Sequence, residues 1–189
     1  MKVKNDRQSQ RTQQALGDAL LQLMREKGYR AVSIKDIIDR ANVGRSTFYA
    51  HYADKDDLFE SQLNQMLEML IQHTPQDVSE GNPFFPSLGL FKHVQEQWKL
   101  YKILSWEFGS NLHINHLQKS ISERIEQRLL AGGQTFELPL PVIANFLAGS
   151  LLSVLKWWLD NKMMYSPEQI DEMFRKLALP GIAQITSKE

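Results

Sequence analysis

The fold of this 189-residue chain is decided by residues 33–58, which read SIKDIIDRANVGRSTFYAHYADKDDL. Ser33 is a residue type that caps helix N-termini, and Asp36 three residues later completes a pair that resembles a capping box. The apolar residues of the first part recur at helical spacing: Ile34, Ile37, Ile38 and Ala41. The stretch is therefore predicted to open with a short amphipathic helix.

A tight turn and a second short helix are predicted next. Asn42 and Gly44 both tolerate the backbone conformations that a sharp turn needs. The second helix is predicted over residues 45–52 with Phe48 facing inward, and Asp54 is expected to end it and to cap the following helix. A helix, a Gly-containing turn and a short helix make the helix-turn-helix pattern, whose second helix can enter the major groove of DNA.

A longer helix precedes this pattern and supplies the third wall that a bare helix-turn-helix lacks. It is predicted over residues 8–27, with Gly28 as its C-terminal stop. Its apolar stripe consists of Leu16, Ala19, Leu20, Leu23 and Met24. Residues 1–10 are polar, and we expect either a solvated tail or an arm that reaches DNA. The result is a three-helix head.

The remaining chain is predicted to be helical throughout. We expect helices over 55–72, 87–108 (one bent helix or two), 111–130, 139–161 and 166–179, where Pro180 and Gly181 break the last one. No strand pattern and no internal repeat is found in the sequence. The fold class is therefore all-α with about nine helices, divided into a head over 1–56 and a helical body over 57–189.

The composition of the chain excludes several kinds of functional site. Hydrophobic residues make up 42% of the chain, enough for a substantial core, and the absence of cysteine excludes disulfides, thiolate zinc sites and cysteine nucleophiles. The polar N-terminus lacks an apolar signal core, and polar residues interrupt the longest apolar run, 142–159, which favours a buried helix over a membrane span. These features predict a cytoplasmic protein.

The sequence carries no enzyme signature. We find no Gly-rich phosphate loop, no paired-carboxylate pattern and no nucleophile elbow. His113 and His116 stand three residues apart, but without a third ligand they are expected to be surface histidines rather than metal ligands. No cofactor and no metal is therefore predicted.

The charge of the chain is unevenly distributed although its net value is zero. Residues 1–53 hold ten Lys and Arg against five Asp and Glu, a net charge of +5, and the rest of the chain carries −5. A basic N-terminal third on a neutral chain favours a DNA-facing end joined to a separate body.

The head resembles the TetR/AcrR family of transcriptional regulators. The resemblance is carried by Thr47-Phe48-Tyr49-Ala50-His51-Tyr52, then Lys55-Asp56-Asp57-Leu58, preceded by Ala41-Asn42-Val43. It covers about 50 residues; the body matches the family in length, helical character and order of parts. The family often has Gly where this chain has Asn42, and Ser or Thr where it has Gly44, so no DNA contact is assigned to Gly44.

The predicted DNA contacts cluster on and around the second helix of the motif. Arg45 and Ser46 open that helix; Arg45 is expected to read a guanine edge, the alternative being a phosphate contact. By resemblance, Thr47, Tyr49 and His51 face DNA and Lys55 grips a phosphate, with packing as the alternative for Tyr49. Two further candidates lie on the preceding helix: Ser33 for a phosphate, and Lys35 for backbone or base, with a solvated lysine as its alternative.

Two further sets of residues are assigned to the body. An aromatic segment is expected to line a ligand cavity, with nearby polar groups orienting the ligand; plain core packing is the alternative. The set is Phe91, His93, Trp98, Tyr101, Trp106, Glu107 and Asn111. The last two helices resemble in place the pair that forms the family's dimer interface, for which the apolar stripe suggests Leu147, Leu151, Leu155 and Trp158, with monomer core as the alternative.

Together these features predict a homodimeric regulator that binds a double-stranded DNA operator and is released by a small-molecule effector, and we expect a repressor without a membrane partner. One alternative keeps the DNA-binding head but gives the body a protein partner instead of a ligand. A second is an enzyme or carrier built on a helical bundle, which the basic residues Lys35, Arg45 and Lys55 disfavour.

Overall fold

The computed structural model describes the backbone of residues 2–73, 85–101 and 112–186, and the side chains within 7–71, 85–101 and 114–186. These residues form eight helices: α1 (Lys2–Lys27), α2 (Ile34–Ala41), α3 (Arg45–Tyr49), α4 (Lys55–His73), α5 (Ser87–Glu96), α6 (Leu112–Ala131), α7 (Leu140–Asp160) and α8 (Pro167–Ile185). A further helical segment begins at 98–101, after a break at Gln97. The described parts contain no strand, only an isolated bridge between Phe136 and Thr186. The predicted all-α class is confirmed.

The described residues divide into two compact units, and α4 contributes to both. The first unit, the head, holds the residues up to Gln65 together with 99–101, and the second, the body, holds Met66–Trp98 and the residues from 112 onward. The division by contacts thus lies inside α4, later than the boundary after residue 56 that the motif suggested.

The head is built around three buried residues of α1, namely Leu16, Leu20 and Met24. Ile37 of α2 and Phe48 of α3 are also fully buried, as the amphipathic pattern predicted. Helix α1 begins at Lys2 rather than at residue 8, because residues 2–7 contain no Gly or Pro that would stop the helix.

The body is a bundle in which α6 packs on α7, and α8 packs on α5 and α7. A buried polar group fastens α5 to α8: the Ser87 hydroxyl donates to Oδ1 of Asp171 at 2.5 Å. The other carboxylate oxygen of Asp171 lies 2.9 Å from Nε of Arg175. The carboxylate is therefore buried with a hydroxyl donor and a cation, the arrangement that a buried charge requires.

Helix α8 does not end at Pro180, as the sequence suggested, but continues to Ile185. Proline removes one backbone hydrogen bond and would normally end the helix. Ala178 and Ile182 are both buried, one on each side of the proline. Burial of apolar side chains on both sides thus outweighs the local cost of Pro180.

Judged by length and composition alone, helix α7 could cross a membrane. Seven of its residues are nevertheless buried against other parts of the chain: Ile143, Ala144, Leu147, Ala148, Leu151, Leu155 and Trp158. Its contacts with α6 and α8 account for the apolar residues on this side of the helix.

Candidate DNA-binding site

The turn between α2 and α3 is formed by one left-handed residue. Asn42 has φ 53° and ψ 48°, and the Val43 N–H donates to the Ile38 carbonyl at 3.1 Å. Gly44 has φ −73°, a conformation open to any residue, so the sharp turn depends on Asn42 rather than on the glycine. The predicted helix-turn-helix is present.

The start of α2 is held by a complete capping box. The Asp36 N–H donates to the Ser33 hydroxyl at 3.2 Å, and the Ser33 N–H donates to the Asp36 carboxylate at 2.8 Å. The Ser33 hydroxyl also donates to this carboxylate, as does Lys27 at 2.9 Å, and these donors hold the pKa of Asp36 well below its usual range. The predicted cap is confirmed, and a phosphate would have to compete for the hydroxyl proton of Ser33.

Helix α3 presents a polar face opposite its buried side. Phe48 is fully buried and Tyr52 nearly so, whereas Arg45 and Ser46 are exposed and Thr47 is half-buried. The N-terminal residue of α3 therefore projects a guanidinium from the end of the helix that, in this motif, meets base edges.

Tyr49 lies one turn from Arg45 on the same exposed face. The residue is 47% exposed, and the Arg45 guanidinium carbon lies 5.7 Å from the centroid of its ring. Tyr49 touches Phe48 edge-on at 5.4 Å but is not part of the buried core, and its DNA contact stays a prediction. His51 is half-buried just beyond α3, and Lys35 is exposed on α2.

Lys55 occupies a different environment from the one expected. Its ammonium donates to the backbone carbonyls of Tyr29 at 2.9 Å and Val32 at 2.8 Å, and lies 4.2 Å from the Tyr29 ring centroid. The Tyr29 hydroxyl in turn donates to Asp56, and burial together with this carboxylate raises the pKa of Tyr29. Lys55 therefore fastens the α1–α2 loop to the start of α4, and its phosphate contact is not supported by this geometry.

The residues assigned to a ligand cavity have several environments. Phe91 is fully buried and packs edge-on against Trp158 at 5.6 Å, which makes it a core residue. His93 is half-buried, and burial lowers its pKa. Trp98 is exposed, and burial raises the pKa of Tyr101, which belongs to the first unit. Trp106, Glu107 and Asn111 lie outside the described residues, as does the side chain of His113.

The four residues assigned to the dimer interface are not available to a partner. Leu147, Leu151, Leu155 and Trp158 are all buried within the single chain. That assignment is therefore wrong, and monomer core is the correct alternative for this stripe. The sequence did not reveal which side of α7 faces its own body, because α7 is apolar on more than one side.

Another face of α7 and part of α8 expose large apolar side chains that the sequence analysis did not single out. On α7 they follow helical spacing, with Phe146 four residues after Val142 and Trp157 eleven residues further. On α8, Met173 and Leu177 are one turn apart, and Leu177 is 77% exposed. These five residues are called the exposed apolar face below.

Two family models match the chain. The model of bacterial regulatory proteins of the tetR family matches residues 16–61, and a model of a transcriptional regulator C-terminal region matches residues 86–179. The chain is 25% identical over 175 residues to the HTH-type transcriptional regulator YxbF of Bacillus subtilis, a match that covers 89% of this chain and 45% of that protein. The chain thus spans less than half the length of this relative.

Solved structures share the fold. A TetR transcriptional regulator from Streptococcus agalactiae superposes with a TM-score of 0.66 at 24% identity, over 94% of this chain and 99% of the other. Thermus thermophilus FadR, a TetR-family repressor in complex with lauroyl-CoA, gives a TM-score of 0.62 at 17% identity, over 90% and 94%. With the helix-turn-helix head and both family matches, these findings establish that the chain belongs to the TetR family of transcriptional regulators.

Proposed function

We propose that this TetR-family protein is a cytoplasmic, homodimeric repressor that reads its operator with α3 and leaves it when a small molecule binds the body. The observation that carries the DNA-reading part is the division of α3 into two faces. Phe48 anchors the helix in the head, and Arg45 and Tyr49 face outward. Such a helix can enter the major groove without disturbing the core that holds it.

The exposed residues fall into two chemical groups. One residue can recognise a base edge, and the others can hold the helix on the DNA. The planar guanidinium of Arg45 matches the O6 and N7 acceptors of guanine in a bidentate pair. Ser46, Thr47, Tyr49 and His51 offer hydroxyl and imidazole groups for phosphate or base, and Lys35 offers a cation on the neighbouring helix. Arg45 is therefore proposed to carry most of the discrimination between bases.

Replacement of Arg45 by Ala tests this proposal. An operator is first selected from random double-stranded DNA, and we expect it to be an inverted repeat because two heads would bind it. The variant should bind the selected site about 10–100-fold more weakly, since a bidentate pair contributes about 1–3 kcal/mol of discrimination. Its affinity for scrambled DNA should fall far less. Titrations by fluorescence anisotropy at two salt concentrations measure both values.

The matched control is Lys176→Ala, which removes one exposed positive charge from the body. It should leave both affinities unchanged. An equal loss on selected and scrambled DNA in Arg45→Ala would show that Arg45 contacts phosphate only. Failure of the selection to enrich any sequence would count against specific DNA recognition itself.

The exposed apolar face is proposed as the homodimer interface. Its side chains lie on adjacent helices at helical spacing, and Phe146 is 59% exposed. A contiguous exposed apolar patch commonly marks a contact surface with another protein. A symmetric pairing of this face would bury it and place two heads in one particle.

Replacement of Phe146 by Glu should convert the dimer to a monomer at micromolar concentration, because a buried unpaired carboxylate is costly. Analytical ultracentrifugation measures the mass. Leu130→Glu, which places the same charge at an exposed apolar site on α6, should remain dimeric. A Phe146→Glu protein that stays dimeric, or a monomeric wild type, would contradict this interface.

Release by an effector is supported by a structure with the same fold and by the thermodynamic linkage between effector binding and DNA binding. Thermus thermophilus FadR, which shares the fold, was solved in complex with lauroyl-CoA. The protein has one arrangement with high DNA affinity and another with low DNA affinity. An effector releases DNA only if it binds the low-affinity arrangement more tightly than the high-affinity one. Repression then requires that the effector-free protein be the form with high operator affinity, which the same titrations measure with and without candidate effectors.

A further inference from the structure

A guanidinium with one unpaired nitrogen lies along α6 in the body. Nη1 of Arg128 is screened from solvent and has no hydrogen-bond partner among the described residues. The side chain is half-buried, and this burial lowers the pKa of Arg128. Arginine nevertheless stays charged in proteins, so Nη1 of this cation has lost its hydration without gaining a hydrogen bond.

One turn earlier on the same helix, Arg124 has partners that Arg128 lacks. Its Nη1 donates to the Ser120 carbonyl at 2.9 Å, and its Nη2 donates to the Glu68 carboxylate of α4 at 2.9 Å. Residues four apart on a helix lie side by side, so the two guanidinium groups share one face of α6. Glu68 pairs with Arg124, and it gives no hydrogen bond to Nη1 of Arg128.

We infer that Arg128 is the anchor for the carboxylate of the effector, an anionic small molecule. This inference rests on the proposed function and adds the chemical class of the effector. A guanidinium binds a carboxylate through two parallel hydrogen bonds, and such a pair would give Nη1 of Arg128 the acceptor that it lacks.

The apo protein gives a first test that needs no ligand. Arg128→Met keeps the length of the side chain and removes the uncompensated charge, so its melting temperature should rise by about 2 °C. Lys119→Met, at an exposed cation on the same helix, should change it by less than about 0.5 °C. A clear fall in the melting temperature of Arg128→Met would show that the guanidinium already has a stabilising partner and would overturn the inference.

The second test uses the full-length chain and a defined panel of probes. Acetate, benzoate, octanoate and laurate are titrated by calorimetry, each beside its uncharged primary amide, together with inorganic phosphate. At least one carboxylate should bind about tenfold or more tightly than its amide and than phosphate. Arg128→Met, or Arg128→Gln if the first variant does not fold, should remove this preference, and Lys119→Met should retain it.

Equal binding of acid and amide, binding unchanged in Arg128→Met, preference for phosphate, or no binding by any carboxylate would each overturn the inference. Operator affinity of the effector-free protein is measured separately. Its loss would count against the proposed function, whereas intact operator binding without carboxylate selectivity would count only against the anchor at Arg128.

Discussion

Replacement of Lys55 by Met should destabilise the head by about 3 kcal/mol, because two carbonyls would lose charge-assisted hydrogen bonds. The ammonium of Lys55 donates to the carbonyls of Tyr29 and Val32, which belong to the loop between α1 and α2. Met has a similar length but no donor, so both acceptors would be left in a partly buried place. The expected result is a destabilised head whose remaining folded molecules keep the same contacts with DNA.

Urea unfolding and DNA titration on one sample separate the two roles of this lysine. Lys55→Met should lower the unfolding midpoint and leave the slope of log affinity against log salt unchanged. Lys35→Met is the matched control at an exposed position, where stability should hold and a lost phosphate contact would reduce the slope by about one. Normal stability of Lys55→Met with a reduced slope would restore the phosphate role.

Replacement of Trp158 by Ala should cost about 4 kcal/mol of unfolding free energy in the body. The side chain is fully buried, packs against Phe91 with ring centroids 5.6 Å apart, and donates its indole N–H to the Tyr165 carbonyl at 2.9 Å. Alanine would leave a large cavity and a carbonyl without its donor. At this cost the body would be close to unfolding at 37 °C, since domains have only about 5–15 kcal/mol of stability.

Denaturant unfolding followed by far-ultraviolet circular dichroism measures this loss. Trp158→Phe should lose less, because the ring remains and only part of the volume and the hydrogen bond are removed. Trp98→Ala, at a tryptophan that is 40% exposed, should lose less than half as much as Trp158→Ala. Equal losses at the two tryptophans would contradict the central place of Trp158 in the body.

The head could be predicted closely because its signals are local in sequence. The capping box of Ser33 and Asp36 and the left-handed Asn42 each depend on residues within four positions. The surroundings of Lys55 could not be predicted, for the opposite reason. Its acceptors lie 23 and 26 residues earlier in the chain, and only the folded head brings them to the ammonium.

The helices of the body could be predicted from the sequence, but not which side of each helix is buried within the chain. The spacing of Leu147, Leu151 and Leu155 defines a stripe, and the structure places that stripe against the chain itself. A helix that is apolar on several sides has more than one candidate interior, so periodicity alone cannot choose between core and partner. The exposed side of α7, with Phe146 and Trp157, emerged only from packing.

Helix α4, which the two units share, determines the smallest fragment of this protein that can fold as a DNA-binding domain. The rings of Phe59 and Tyr29 are in contact at a tilt of 46°, with centroids 5.1 Å apart. Gln62 lies so close to Gly17 of α1 that a Cβ at that glycine would be 2.4 Å from the Gln62 amide oxygen. A fragment that ends at residue 56 loses both contacts and should show no cooperative thermal transition. A fragment that ends at residue 65 keeps them and should melt as one unit. A DNA-binding fragment of this protein must therefore include the first half of α4.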